Sequence, residues 1–497
     1  MTLAGSMPVY RGAFFAVAMQ WSVRVIGLVS VVILARLLDP SDFGIVALAS
    51  SAMALVELLG LVGLRQALLR LREPERAHYD TAWTIQLLLA VGMTLGALLI
   101  VAPVAARLYD LPGLYAVIMV LGTRFIFFGL VNIGVVDFER HLQFGRDLKM
   151  RVGARFVAFL ATIAAAFMLR SYWALVIGLM AYPMMLALAS FIVHPYRPRL
   201  SLARRGELLG ISLWILVSGT AQTVQQQVER LVIGRFALPF VVGLYSVSKD
   251  LASIFTEEIS TALNRVTFVT VARRDAPLSE RSDEVGRVLG AYAMIAAPLG
   301  IGLSAVAPQA IPVLLGAKWI EAAPYLQVIA VYSGLYAVYK AISSILQASG
   351  MAPRAALLSA AGALATIAAV VGAALVWSEA LPIAWAALAA HAVMLVAGIG
   401  LLAHVARGGF AAFAVPVVRP FLAALLMAQG IAAIGLDSGS PFIDLAANVA
   451  LGGALYLAAI WLIWSVSRRP EGAESEFFSL LALVRRGLPE RLRAARR

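Results

Sequence analysis

Fourteen long apolar runs divide this sequence, near 12–38, 42–64, 81–106, 114–136, 152–169, 172–193, 209–235, 240–268, 288–315, 322–347, 355–376, 380–403, 417–436 and 444–466. Each is about as long as a helix must be to cross a hydrocarbon core of roughly 30 Å. A chain in lipid has to satisfy its own backbone hydrogen bonds, so only helices and closed barrels are open to it. Barrel strands would alternate apolar and polar residues, and these runs do not. The expected fold is an all-α polytopic membrane protein of about 14 transmembrane helices. Its composition, 62% hydrophobic and 13% charged, fits, since soluble domains carry about 25% charged residues.

Basic residues orient the runs, because cytoplasmic loops retain Lys and Arg. With the N-terminus inside, the inner segments hold Arg65, Arg70, Arg72 and Arg76, then Arg140, Arg146, Lys149 and Arg151, then Arg197, Arg199, Arg204 and Arg205. The outer loops hold only Arg107, Arg170, Arg235 and Lys318. Both termini are then cytoplasmic, as an even number of spans requires. The net charge of +13 is this topological signal and not a nucleic-acid surface, because no soluble domain exists to carry a basic face. The outer loops are too short to build a catalytic site, so no enzyme is expected. The absence of cysteine excludes disulfides and thiolate sites. The N-terminus shows no cleavage site of a removed signal peptide. No metal-ligand cluster, nucleotide loop or cofactor motif is present. The run APLGIG at 297–302 reads as Gly/Pro flexibility within a span, and His391 as a hydrogen-bonded packing residue in preference to a proton relay.

One stretch is written twice. VILARLLDPSDFG at 32–44 and LVIGRFALPFVVG at 231–243 superpose at an offset of 199 residues. Pro40 then meets Pro239, and Gly44 meets Gly243, at what would be the outer ends of the first and seventh spans. Six spans lie between, an even number, so the two copies share one orientation. The expected architecture is two six-helix lobes related by a parallel repeat, an arrangement that in transporters places the substrate between the halves. The lobes are residues 1–206 and 207–406, followed by spans thirteen and fourteen at 407–467 and a basic cytoplasmic tail at 468–497.

Charges inside the spans sort by depth, at about 1.5 Å per residue of helix. Arg24, Arg124, Glu229, Arg230, Lys249 and Asp250 fall near the middle of the bilayer. Glu57, Glu257 and Lys340 fall towards the cytoplasmic half. Each costs at least about 2.5–3.5 kcal/mol at the bilayer centre, so such residues mark either a pathway or a structural ion pair. Several cations together suit an anionic head group, since Arg binds phosphate in bidentate fashion and Lys serves as a point charge. Glu57, Glu229, Asp250 and Glu257 are candidates for coupling or for pairing with those cations.

Four stretches carry a family resemblance. ILARLLDPSDFGIVALA at 33–49, FERHLQFGRDLKM at 138–150, LVIGRFALPFVVGLYSVSKDLA at 231–252 and IPVLLGAKWIEAAPYLQVIA at 311–330 resemble bacterial oligosaccharide flippases. These form the polysaccharide-transport branch of the multidrug/oligosaccharidyl-lipid/polysaccharide superfamily. The sequence is most similar to exporters of the colanic-acid and teichuronic-acid type. The resemblance implies a transporter of the bacterial inner membrane. It implies as cargo an undecaprenyl-diphosphate-linked oligosaccharide, and as partners the membrane lipids and the polymerase and export machinery of the same pathway. It implies that Arg24, Arg124, Arg230, Lys249 and Lys340 meet the diphosphate. In this chain Glu229 stands directly before Arg230, which offers that arginine a neighbouring counter-charge. The alternatives are a cation-coupled multidrug exporter of the same superfamily and a peptidoglycan-precursor flippase. A membrane enzyme of polysaccharide assembly and a non-transporting scaffold fit less well.

Overall fold

A computed structural model describes residues 7–60, 63–111, 113–141, 143–208, 213–254, 278–436, 438–467 and 472–479. Glu257 lies outside the described residues. The described residues hold helices and connecting loops and no strand. They fall into two compact units, one made mainly of Met1–Ser246 and the other mainly of Val247–Arg497, with a three-residue exchange at Ser378–Ala380.

Nine described helices are long and apolar enough to cross a membrane, or ten if a bent pair counts as one span. The sequence count of fourteen also takes in the helices Met7–Leu37, Pro40–Glu57 and Leu213–Phe236 and a helix over 239–254. These four carry Arg24, Glu57, Glu229, Arg230, Lys249 and Asp250.

In the first unit the helix Phe144–Leu169 lies against both Trp173–Val193 and Met7–Leu37, while Pro40–Glu57 lies against Leu114–Gly122 and Leu213–Phe236. The fourth span, expected as a continuous helix, is broken. Leu114–Leu130 and Ile133–Arg140 meet at 62°. Three carbonyls freed at the break, those of Phe128, Gly129 and Val131, all accept from the Gln86 amide at 3.0–3.3 Å. Asn132, fully buried, completes the corner. Its amide accepts from Gly134 N at 2.9 Å and donates to the Tyr196 carbonyl at 2.8 Å. Such compensation is what makes a broken helix tolerable away from water.

In the second unit the strongest association joins Ser282–Leu314 to Ala323–Ala348 and to Phe410–Ile434. Gly300, within APLGIG, is a close-contact residue and not a flexible joint. A Cβ there would lie 2.7 Å from the Ala330 carbonyl, and one on Gly334 would lie 2.9 Å from the Ala296 carbonyl. Small residues at such a crossing let backbones approach, the usual basis of helix packing in lipid.

The beginning of the expected basic tail is also packed. Residues 473–479 are helical. Glu474 is buried 3.8 Å from Arg419, and Phe478 lies against Trp464 with ring centroids 5.2 Å apart. The apolar rings of Phe477 and Phe478 draw this segment onto the bundle, whereas charge alone would have left it in solvent.

Candidate functional site

The twice-written stretch folds twice in the same way. Leu38 N donates to Leu34 O at 2.8 Å, and Ala237 N to Ile233 O at 2.8 Å. Asp42 N donates to Asp39 O at 3.0 Å, and Val241 N to Leu238 O at 3.0 Å. Each pair is related by the offset of 199 residues. In both copies a helix ends, the chain turns, and the next helix starts on proline, whose fixed φ and missing N–H suit a first helical position. The first copy is reinforced by Asp39 N donating to Asp42 Oδ2 at 3.1 Å.

The two copies then meet within the first unit. A Cβ on Gly44 would run into the Pro239 carbonyl and stand 3.1 Å from Gly243 N. A Cβ on Gly243 would run into the Pro40 carbonyl and stand 3.1 Å from Gly44 N. The contact is reciprocal, as a two-fold relation between equivalent residues demands.

Deeper in the same unit, Arg124 and Glu57 form an ion pair between the broken fourth span and the second helix. The Arg124 side chain is only 11% exposed and that of Glu57 46%. The Arg124 guanidinium also sits 5.5 Å from the Phe125 ring centroid. Its Nε is buried with no hydrogen-bond partner among the described residues. One helical turn beyond this pair, Gly60 and Phe128 enter the wall of a cavity of about 1030 Å³. Its wall is mostly apolar, from Leu64, Leu89, Met93, Ile133 and Leu216 among others, and it carries Arg65, Arg70, Gln66 and Gln86. Apolar walls with a few converging polar groups are the usual form of a ligand site.

Glu229 and Arg230 are each tied to the helix that follows. Glu229 is fully buried and accepts from the Tyr245 hydroxyl. Arg230 donates to the Ser246 carbonyl at 3.3 Å. Arg24 is half-buried on the helix Met7–Leu37. In the second unit the Lys249 ammonium lies 5.9 Å from the Tyr332 ring centroid and that of Lys340 5.7 Å from the Tyr336 ring centroid. Asp250 is exposed. The structure thus brings together Arg124 with Glu57, Glu229 and Arg230 with the 239–254 helix, and Lys249 and Lys340 with aromatic rings. Among the described residues no cluster of His, Asp and Glu has the form of a metal site.

Residues 33–324, which include both proline–glycine junctions and the broken span, match the family described as "Polysaccharide biosynthesis protein". The chain belongs to that family. Among relatives of the polysaccharide biosynthesis family, the succinoglycan biosynthesis transport protein ExoT of Rhizobium meliloti (strain 1021) is 26% identical over 87% of this chain and 89% of its own. The teichuronic acid biosynthesis protein TuaB of Bacillus subtilis (strain 168) is 24% identical over 80% of this chain and 83% of its own. The fold is that of the lipid II flippase MurJ in an inward closed conformation. The TM-score is 0.73, at 12% identity, over 92% of this chain and all of that one. An inward-facing MATE family multidrug transporter shares it at a TM-score of 0.56, with 14% identity over 78% of this chain and 96% of that one. This family member is therefore a multi-pass helical membrane protein that shares its fold with known transporters.

Two groups of residues escaped the sequence reading. Arg65 and Arg70 were counted only as topology signals, yet they stand in the cavity wall. LRQALLR folds as a short helix, Leu64–Arg70, that buries Leu64 and Leu68 and leaves Arg65 and Gln66 exposed. That amphipathic spacing was visible in the sequence. Tyr332 and Tyr336 stand eight and four residues before Lys340 on one helix face, a second legible pattern.

Proposed function

We propose that this chain is a flippase that carries an undecaprenyl-diphosphate-linked oligosaccharide from the inner to the outer leaflet of the bacterial cytoplasmic membrane, for exopolysaccharide, capsule or O-antigen assembly. Both termini are cytoplasmic. The lobes of residues 1–206 and 207–406 alternate access by rocking about the Pro40–Gly44 and Pro239–Gly243 junctions, with spans thirteen and fourteen (407–467) and the tail (468–497) outside the repeat. The diphosphate is received by Arg24, Arg124, Arg230, Lys249 and Lys340. Glu57, Glu229, Asp250 and Glu257 balance those cations or couple transport to an ion. Beyond the lipid-linked sugar, the partners are surrounding lipids and the polymerase and export machinery of the same pathway.

One observation carries this reading. Arg124 is buried with an unsatisfied Nε, beside an apolar-walled cavity of about 1030 Å³ that holds two further arginines. A buried guanidinium with an open donor favours a phosphate oxygen over water or a drug cation. The names of the relatives, a succinoglycan biosynthesis transport protein and a teichuronic acid biosynthesis protein, support a saccharide cargo.

The experiment is to delete the gene, extract polyprenyl-linked intermediates and identify them by mass spectrometry, then repeat with Arg124→Ala expressed at normal level. Accumulation of one undecaprenyl-diphosphate oligosaccharide with loss of surface polymer is expected in both strains. An unchanged lipid-linked pool overturns the flippase reading and turns attention to drug export.

A further inference from the structure

The lysines expected to meet the diphosphate in the second unit are joined by a continuous run of rings. Lys249 faces Tyr332 at 5.9 Å, and Lys340 faces Tyr336 at 5.7 Å. Between the two tyrosines lies His391, brought in by the helix Ala380–Val405. Its ring is stacked on Tyr332, with centroids 4.9 Å apart and planes at 15°. It meets Tyr336 edge-on, at 5.3 Å and 85°. Its Nδ1 is 2.7 Å from the Ala387 carbonyl, which fixes the ring about its own helix and, in the neutral form, places the proton on Nδ1. His391 and both tyrosines are buried, while the two lysines are partly exposed.

A cation within about 6 Å of an aromatic face is held by the ring quadrupole, and the hold depends on how the ring is turned. An ammonium on a four-carbon stem has many rotamers to lose when it binds a phosphate. Rings that already hold it reduce that loss. His391 touches both tyrosine rings and so ties their planes to each other.

We propose that His391 is a positioning residue. By stacking on Tyr332 and meeting Tyr336 edge-on, it orients the two rings that hold Lys249 and Lys340 ready for one diphosphate. The inference rests on the reading that these lysines contact the head group. A packing histidine would need only volume; a positioning one needs an aromatic plane.

The test uses the full chain in nanodiscs, with undecaprenyl diphosphate lacking sugar as the lipid probe and inorganic pyrophosphate as the free-anion probe. The double variant Lys249→Ala/Lys340→Ala is expected to weaken lipid binding by tenfold or more. His391→Phe, which keeps a ring, should bind within about twofold of wild type, and His391→Leu, which keeps volume alone, about tenfold more weakly. Pyrophosphate should follow the same order if the head group alone is read. Tighter binding of the lipid identifies the membrane-embedded source. Dimethylated Lys249 and Lys340 should show ring-shifted ¹³C-methyl signals in wild type and His391→Phe that return towards random-coil positions in His391→Leu. Equal binding and equal signals in the Leu and Phe variants overturn the positioning role while leaving the lysine reading intact. Unchanged binding in the double lysine variant overturns both.

Discussion

Gly44 and Gly243 lie against each other so closely that neither has room for a methyl group. Each backbone occupies the space that the other's Cβ would need, against Pro239 on one side and Pro40 on the other. Equivalent residues of the repeat have become mutual partners. The two similar stretches thus form one contact surface.

Gly44→Ala and Gly243→Ala should each disrupt this contact to a similar extent, because the two sites are equivalent. The cost of overpacking is about 1–3 kcal/mol. The double variant should cost clearly less than the sum, since either methyl already separates the backbones. Thermal unfolding in detergent measures the first effect, and disulfide trapping between cysteines placed at positions 41 and 242 reports the separation. Full additivity would count against a shared contact.

Breaking the ion pair of Arg124 and Glu57 should have unequal results. Glu57→Gln keeps shape and leaves a buried arginine with less compensation. Arg124→Ala removes the charge and leaves a half-exposed carboxylate that water can solvate. The coupling energy of the pair should be modest, about 1 kcal/mol, because Glu57 is nearly half exposed. A stability double-mutant cycle measures it. Arg124→Ala should nevertheless abolish polymer export, and a variant that exports normally would remove Arg124 from the cargo site.

At the arginine-rich end of the first unit, stability should fall with acidification. Hydrogen bonds from His78 and then Arg204 hold the Glu207 carboxyl below its usual range. Its contribution is present above the unfolded carboxylate pKa and is lost as pH falls through the lower folded value. Burial holds His194 below its ordinary value, against the opposing pull of Asp137. The folded state therefore favours the neutral ring, and stability begins to fall as pH drops below the unfolded value of about 6.5. Both signs agree. Melting temperatures should decline between pH 8 and pH 5 through His194, less steeply in His194→Asn, and decline again below the ordinary Glu value of about 4.3 through Glu207. A flat profile across both ranges would show that neither group is linked to folding.

Gly300→Ala and Gly334→Ala should lower the yield of folded protein, each by about 1–3 kcal/mol of stability, because the added methyl meets a carbonyl of the facing helix. Gly302, two residues on, has only the end of the Met427 side chain within reach, at 3.3 Å, and Gly302→Ala should be nearly silent. Fluorescence-detected size exclusion of the three variants separates close packing from general flexibility, which would make all three alike.

Much of this was legible in the chain itself. In lipid the demands on a segment are local: enough apolar length and internally satisfied hydrogen bonds. The helices, the repeat at Pro40 and Pro239, and the presence of buried charges follow from those demands residue by residue. What a buried charge meets does not. Arg124 with Glu57, Glu229 with Tyr245, the 62° bend answered by Gln86, and the rings between Lys249 and Lys340 depend on how helices rotate and cross, which long-range packing sets. The amino-acid order alone establishes a helical membrane protein with a twice-written proline–glycine junction and charges within its spans; the partners of those charges come only from the folded structure, because partner choice is fixed by side chains far apart in sequence that compete for the same small space.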